Sequence, residues 1–352
     1  MPISRVIWHL TNRCNLRCSY CYVSAGTHES ELSRDEALAV AKQINDLELS
    51  DLSLTGGEPT MFRHFDEVIA SLRRDIPKGL NTNGTTLTPS LITRLASAGF
   101  ERVTISIDSI QQYLNDLTRG NNSYPSILRG LKLALDAGLW VAVPIQVSQL
   151  NAGSLAETML RLAELGVQSV KINFVEDLGY AIGKRLSLSV EERATLLRTI
   201  SPTISQIRQT HGVDVSAESS IPFPEFFEAF GEVACYCGHH RAMIKHDGGV
   251  VPCDAMDYPG GYIELGYPIL KVPEHPLVEI FEESELFSVY RDATGFYRPR
   301  GCEGCRFYPP CRGGCRSRAL LLARSLFVRT PLCYKGPFAE EPPARVREPG
   351  QT

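Results

Sequence analysis

Short apolar runs alternate with amphipathic stretches from Val6 to about Lys171, and this alternation predicts strand-helix units around a parallel sheet. The predicted strands are RVIWHL, DLSLT, GLNTN, RVTISID, VAVPIQV and SVKINFV. The helices between them have readable ends. Ser33 followed by Glu36 forms a capping box opening SRDEALAVAKQINDLE, and Thr88 with Pro89 opens TPSLITRLASAG. Gly99, Gly138 and Gly166 stand where a left-handed residue closes a helix. Six such units are two short of an eight-stranded barrel. The expected fold class is therefore α/β, a partial (β/α)6 TIM-like barrel open on one side and able to admit a large substrate.

After the sixth unit the pattern changes. Residues 1–185 are expected to form the barrel core, and residues 186–234 a helical bridge that runs into the Pro/Phe-rich link SIPFPEFFEAFG. Residues 235–335 carry eight of the eleven cysteines among glycines and prolines, with little helix before RSRALLLARSLFV. Apolar periodicity there is too sparse for a core alone, so bound metal is expected to supply much of the stability. Residues 336–352, the end of the tail KGPFAEEPPARVREPGQT, read as disordered.

Composition narrows the function classes. A chain of 352 residues with 43% hydrophobic and 22% charged residues is that of a soluble globular protein. Its net charge of -4 argues against a polyanion-binding surface, so no nucleic-acid partner is expected. The start, MPISRVIWHL, has no apolar targeting core, and no stretch reaches the roughly 18 apolar residues of a membrane span. A cytoplasmic location without a membrane partner follows. In that reducing compartment an odd count of eleven cysteines fits metal or cluster ligation better than disulfides.

Three of those cysteines, Cys14, Cys18 and Cys21, stand in TNRCNLRCSYCY, directly after the first strand. This is the end of the barrel where active sites are built. Three thiolates can be most of a zinc site completed by His9 or His28, or can hold a four-iron cluster with one iron left open. The spacing C-x3-C-x2-C, with Tyr20 before the last cysteine, resembles the cluster loop of the radical S-adenosylmethionine (radical SAM) superfamily. There SAM chelates the open iron, and its reductive cleavage yields a 5′-deoxyadenosyl radical that abstracts hydrogen from a substrate.

Further segments continue the resemblance. The second strand ends in LTGGEPT, where Gly56 and Gly57 permit close backbone approach and Glu58 can accept from an ammonium group. By resemblance this turn contacts the methionine end of SAM. The third strand runs into NTNG, with Asn81 and Asn83, and the fourth into SIDS. Alternation places Ser106 and Asp108 on one side of the fourth strand, and similar segments contact the ribose or methionine part of SAM. Arg119 resembles an arginine that binds the SAM carboxylate; for Asn81, Asn83 and Arg119 a turn or surface role is the alternative. Gln146, Ser148, Lys171, Asn173 and Glu176 are polar positions in or just after strands that should be apolar. They line a substrate pocket or form a polar network closing the barrel mouth.

The later cysteines form an array: from Cys237, C-x10-G-x4-C, a gap, C-x2-C-x5-C-x3-C, a gap and a last cysteine. Each spacing is similar to the SPASM extension of radical SAM peptide maturases and sulfatase-maturing enzymes. The resemblance implies two auxiliary [4Fe-4S] clusters, one on Cys237, Cys253 and Cys315, the other on Cys302, Cys305, Cys311 and Cys333. Cys235 is the fourth ligand of the first set, or a free thiol serving as hydrogen-atom donor, or the site is open to substrate.

The implied function is radical SAM chemistry on a ribosomally made peptide. The alternatives are the same chemistry on a small molecule, such as an aminosugar alcohol or a tetrapyrrole, and a non-catalytic iron-sulfur or zinc protein. GGEP and SIDS argue against the last, since a carrier needs no nucleoside pocket. An external electron donor of flavodoxin or ferredoxin type is expected. Thirteen residues precede Cys14, too few for a leader-peptide-binding domain, so a peptide would be short or delivered by a separate recognition protein.

Overall fold

The computed structural model describes residues 2–26, 30–120, 122–217, 224–231, 237–256, 266–295, 297–323, 325–331, 333 and 335. The six predicted strands are present as β1 (Arg5–His9), β2 (Asp51–Thr55), β3 (Lys78–Thr82), β4 (Arg102–Ile105), β5 (Trp140–Val147) and β6 (Ser169–Phe174), each pairing in parallel with the next. Between and after them come α1 (Arg34–Asn45), α2 (Phe65–Ser71), α3 (Pro89–Ser97), α4 (Gln112–Arg119), α5 (Tyr124–Asp136), α6 (Leu155–Glu164) and α7 (Val190–His211). Ser33 and Glu36 make both bonds of the capping box, and Thr88 caps α3 through the amide of Leu91. Gly99, Gly138 and Gly166 adopt φ values of 82°, 73° and 90° one residue beyond the helix caps.

The sheet is larger than the six-strand expectation. Its order among the described residues is β7-β6-β5-β4-β3-β2-β1-β8-β9, an open sheet of nine strands. The three additions are β7 (Asp214–Ala217), β8 (Arg241–Ile244) and β9 (Val250–Val251). β7 lies in the stretch read as helix and link; it is four residues long with one buried side chain, Val215, too short to show alternation. β8 pairs in parallel with β1, from Arg5↔Arg241 to Trp8↔Ile244. Thus the cysteine-rich segment opens as a strand of the barrel's own sheet.

The two faces of the sheet differ. Val6, Trp8, Leu52, Leu54, Leu80, Val103, Ile105, Val143, Ile145, Val170 and Ile172 pack with Val40, Ile44, Leu95, Leu131, Met159 and Leu162 of the helices in one core. Burying each large aliphatic side chain is worth about 1.5–3 kcal/mol. Most intervening positions, among them Ser53, Thr104, Lys171 and Asn173, are only partly buried or exposed and give the inner face a largely polar character. At its N-terminal end Arg102 pairs with Asp51 across three strands and donates to Ser53 Oγ at 3.3 Å.

The cysteine-rich segment has more structure than its sequence suggested. Helices α8 (Pro224–Phe230), α9 (Leu277–Glu283), α10 (Glu285–Gly295), α11 (Tyr308–Cys311) and α12 (Arg316–Ala323) complete the described fold. Met243, Val251, Leu286, Tyr290, Leu320 and Leu326 form a second, small core that includes Cys237 and Cys253. Leu286, Phe287, Tyr290 and Ala293 stand one helical turn apart on a buried face of α10, a periodicity present in the sequence but diluted by polar neighbours. Cys235, His28 and the tail 336–352 lie outside the described residues.

Candidate functional site

Beyond β1 the chain enters the three-cysteine loop, and the turn after β2 closes directly on it. Gly57 N donates to Thr11 O at 2.7 Å and Glu58 N to Arg13 O at 2.7 Å. A Cβ on Gly56 would stand 2.6 Å from Thr11 O, and one on Gly57 2.4 Å from Arg13 O. The close approach that both glycines permit is therefore made by the cysteine loop itself. Gly57→Ala is expected to push the loop out at a cost of about 1–3 kcal/mol. Reconstituted variant should lose iron at this site, and full iron content would contradict the steric role.

Cys14, Cys18 and Cys21 are all half-buried on this loop. Leu16 N donates to Cys14 Sγ at 3.4 Å, Asn83 Nδ2 to the same sulfur at 3.8 Å, and Ala25 N to Cys21 Sγ at 3.5 Å. Burial raises all three thiols, Cys18 up to about 12. Thiolates in such a place require a cation; iron would supply it while the cysteine sulfurs go on accepting from the same N–H donors. Ser19 N bonded to Thr118 O at 2.8 Å and Tyr180 N to Cys21 O at 3.0 Å hold the loop from two further sides. His9 packs edge-on to His246, ring centroids 5.6 Å apart.

Glu58 is 0% exposed. It accepts from Thr60 Oγ1 at 2.7 Å, Thr82 Oγ1 at 2.8 Å and the Asn83 amide at 2.8 Å, while burial raises its carboxyl. Both oxygens are thus used in joining GGEP to NTNG. An ammonium group, expected as its partner, would share an already occupied carboxylate.

Tyr20, Asp108 and Arg119 meet one another behind the loop. Tyr20 OH donates to Asp108 Oδ2 at 2.6 Å and Arg119 Nη2 to Asp108 Oδ1 at 3.1 Å; Thr118 Oγ1 and Gln146 N complete the carboxylate's partners at 2.9 and 3.1 Å. The Arg119 guanidinium lies 5.8 Å from the centre of the Tyr20 ring. Burial works against its charge, yet Asp108 overrides this and holds Arg119 above its ordinary value. Ser106 and Asp108 consequently differ in setting: Ser106 is half-buried, Asp108 sealed under Tyr20. Arg119 Nε is buried without a partner among the described residues.

Among the predicted pocket residues, Ser148 is buried and donates to Asn151 Oδ1 at 3.0 Å, and Asn151 Nδ2 donates to Asp108 O at 2.8 Å. It is a turn residue. Glu176 bonds Arg193 at 2.7 Å and Arg318 of α12 at 3.0 Å, so it joins the barrel to the cysteine-rich segment. Asn81, Gln146 and Asn173 are half-buried, and Lys171 is exposed on the inner face. Asn151, Thr82 and Thr118 had not been singled out; a short polar residue beside a strand end was their only signal.

The later cysteines gather in two places. Cys302, Cys305, Cys311 and Cys333 line one pocket with Phe227, Phe307, Tyr308 and Arg329. Burial pushes Cys302 up to about 11 and Cys311 up to about 12. Cys237 and Cys253 share the second core with the buried Tyr290, whose phenol is pushed well up by burial first and then by the charges of Cys253, Cys237 and Cys315, against a bond to Ser317. Arg241 Nη2 donates to Cys237 Sγ at 2.8 Å. Among the described residues, no three His, Cys, Asp or Glu side chains are placed to chelate a single ion.

Residues 8–162 match the radical SAM superfamily, a span that runs from β1 through α6 and contains the loop, the GGEP turn and SIDS. The chain carries a radical SAM domain. The full chain is similar to an AdoMet-dependent heme synthase of Nitratidesulfovibrio vulgaris, 27% identical over 359 residues, covering 94% of this chain and 92% of that one. It is also similar to a PqqA peptide cyclase of Rhizobium meliloti, 26% identical over 350 residues, covering 97% and 88%. In fold it resembles Streptococcus suis SuiB bound to the precursor peptide SuiA, with a TM-score of 0.75 at 17% identity, covering 94% of this chain and 76% of that one. The radical SAM domain has the expected α/β architecture, with an open sheet as in a partial barrel. No helix among the described residues is long and apolar enough to cross a membrane.

Proposed function

We propose that this chain uses radical SAM chemistry to modify a peptide, with Cys14, Cys18 and Cys21 holding three irons of a [4Fe-4S] cluster and SAM at the fourth. The observation that carries this reading is the placing of the three-cysteine loop, locked by the GGEP turn at the strand ends above an open polar face. When bound, that cluster and SAM supply a 5′-deoxyadenosyl radical, which takes a hydrogen atom from the substrate. Tyr20, Asp108 and Arg119 keep the loop rigid, and Arg119 Nε offers a donor to the SAM carboxylate. Gly56 and Gly57 let the turn close, Glu58 joins it to Asn83, and Ser106 and Asn81 border the SAM site.

Two auxiliary [4Fe-4S] clusters belong to the same reading, on Cys302, Cys305, Cys311 and Cys333, and on Cys237, Cys253 and Cys315. The pocket lined by the first four, and the charges that the other three bring to Tyr290, support these assignments. Residues 1–185, 186–234 and 235–335 serve as core, bridge and cluster domain. Electrons come from a flavodoxin- or ferredoxin-like donor, and a separate recognition protein delivers a longer peptide. Similarity to heme synthases over 94% of the chain favours a second reading, the same chemistry on a tetrapyrrole. Anaerobic reconstitution should give about twelve irons per chain, four per cluster, and 5′-deoxyadenosine upon reduction. Zinc in place of iron, or intact SAM, would sink the proposal. Deuterium carried into 5′-deoxyadenosine from labelled peptide or labelled tetrapyrrole identifies the substrate.

A further inference from the structure

The inner face of the sheet has a polar strip that no loop ligand accounts for. Lys171 is exposed there, with Pro144 beside it on β5 and Ser216 on β7. One residue pair closer to the loop, Gln146 stands opposite Asn173. Gln146 adjoins the strut under the cysteines through the hydrogen bond its backbone N donates to Asp108 Oδ1, so the strip leads from the cofactor end toward the open edge at β7. Asn173 Oδ1 is buried and has no partner among the described residues.

The charges around this strip are almost all neutralised. Arg102 is paired with Asp51, Arg119 with Asp108, Arg241 with Asp254, and Glu176 with Arg193 and Arg318. Asp214, two residues before Ser216, accepts from Ser169 Oγ. Arg5 sits at the opposite, N-terminal rim, level with Asp51 and Arg241. Lys171 makes no ion pair among the described residues, although it lies in a sheet whose other face is a continuous apolar core. A lysine that only needed solvation would stand on an outer helix; here its charge faces the chamber.

We infer that Lys171 is the anchoring point for a carboxylate of the substrate, with Gln146 and Asn173 bonding the amide or pyrrole groups next to it. The inference rests on the proposed use of the inner face as the substrate chamber, and it assigns a chemical class: an acid-bearing substrate. A side-chain carboxylate of a peptide and a propionate of a tetrapyrrole share that chemistry. A charge-assisted bond of this kind favours the acid over its neutral analogue by about 10–100-fold.

The test is equilibrium binding to the reconstituted, SAM-loaded protein. Two probe pairs separate the sources: coproporphyrin III against its tetramethyl ester, and a glutamate-containing heptapeptide against the same peptide with glutamine. Wild type should prefer the acid in one pair by at least tenfold; Lys171→Gln should abolish that preference and Lys171→Arg keep most of it. The pair that responds names the source. Equal binding within both pairs, or a preference that survives in Lys171→Gln, would overturn the assignment. Weakened SAM binding in Lys171→Gln would overturn it too, by moving the lysine to the cofactor. Unchanged iron content in the variants shows that folding is not the cause. The proposed initiation chemistry stands or falls separately, on 5′-deoxyadenosine formation by the wild type.

Discussion

Cys18→Ala is expected to abolish 5′-deoxyadenosine formation. Loss of a partner that merely supports a metal ligand costs about 10–100-fold, so loss of one of three ligands should exceed about 100-fold. Cys18 is an informative choice because burial pushes its thiol up to about 12. Without a metal cation its thiol has no reason to ionise; with one, it becomes a ligand. The loop should keep its path in the variant, since its anchors are backbone bonds: Gly57 N to Thr11 O, Glu58 N to Arg13 O and Ser19 N to Thr118 O. Liquid chromatography of the reduced, SAM-loaded protein reads the product, and iron analysis should show a fall of about four irons. Product at the wild-type rate would remove Cys18 from the ligand set.

Glu176→Ala should be strongly destabilising. Glu176 Oε1 holds Arg193 at 2.7 Å and Arg318 at 3.0 Å, with side-chain exposures of only 1% and 8% for the arginines. Removing the carboxylate leaves two buried guanidiniums without it, and breaking such a pair costs about 3–5 kcal/mol. Arg193 retains the carbonyls of Leu188 and Val175, which moderates its share. Arg318 sits three residues after Cys315, so the second effect is local: α12 should lose its attachment to β6. Hydrogen exchange of the reconstituted protein should show α12 deprotected more than α3. A loss below about 1 kcal/mol would place Glu176 among ordinary surface ion pairs. Glu176→Gln, which keeps an acceptor, should fall between.

Much of the barrel could be read in advance because each strand contacts helices through every second residue. Leu52 and Leu54, or Val170 and Ile172, show that rhythm without reference to any distant residue. β8 does not. Arg241–Ile244 becomes a strand because β1 offers it an unpaired edge more than two hundred residues earlier. The cysteines were legible for a different reason, since their spacings resemble those of a known family and need no knowledge of distant residues.

Side-chain partnerships were least accessible. Tyr20, Asp108 and Arg119 each suggested a cofactor contact, and the fold also joins all three at one carboxylate, which no spacing foretold. Glu58 likewise serves Thr60, Thr82 and Asn83. A buried polar group must be satisfied by whichever donor the packing brings near it, and that neighbour has no fixed distance along the chain. The sequence by itself determined the strand-helix rhythm, the cysteine spacings and the polar positions on strands, because these follow from local periodicity and ligand reach. Only the tertiary structure decided which polar groups are spent on one another and which, like Lys171, remain turned toward the chamber. That choice depends on pairing between strands far apart in the chain.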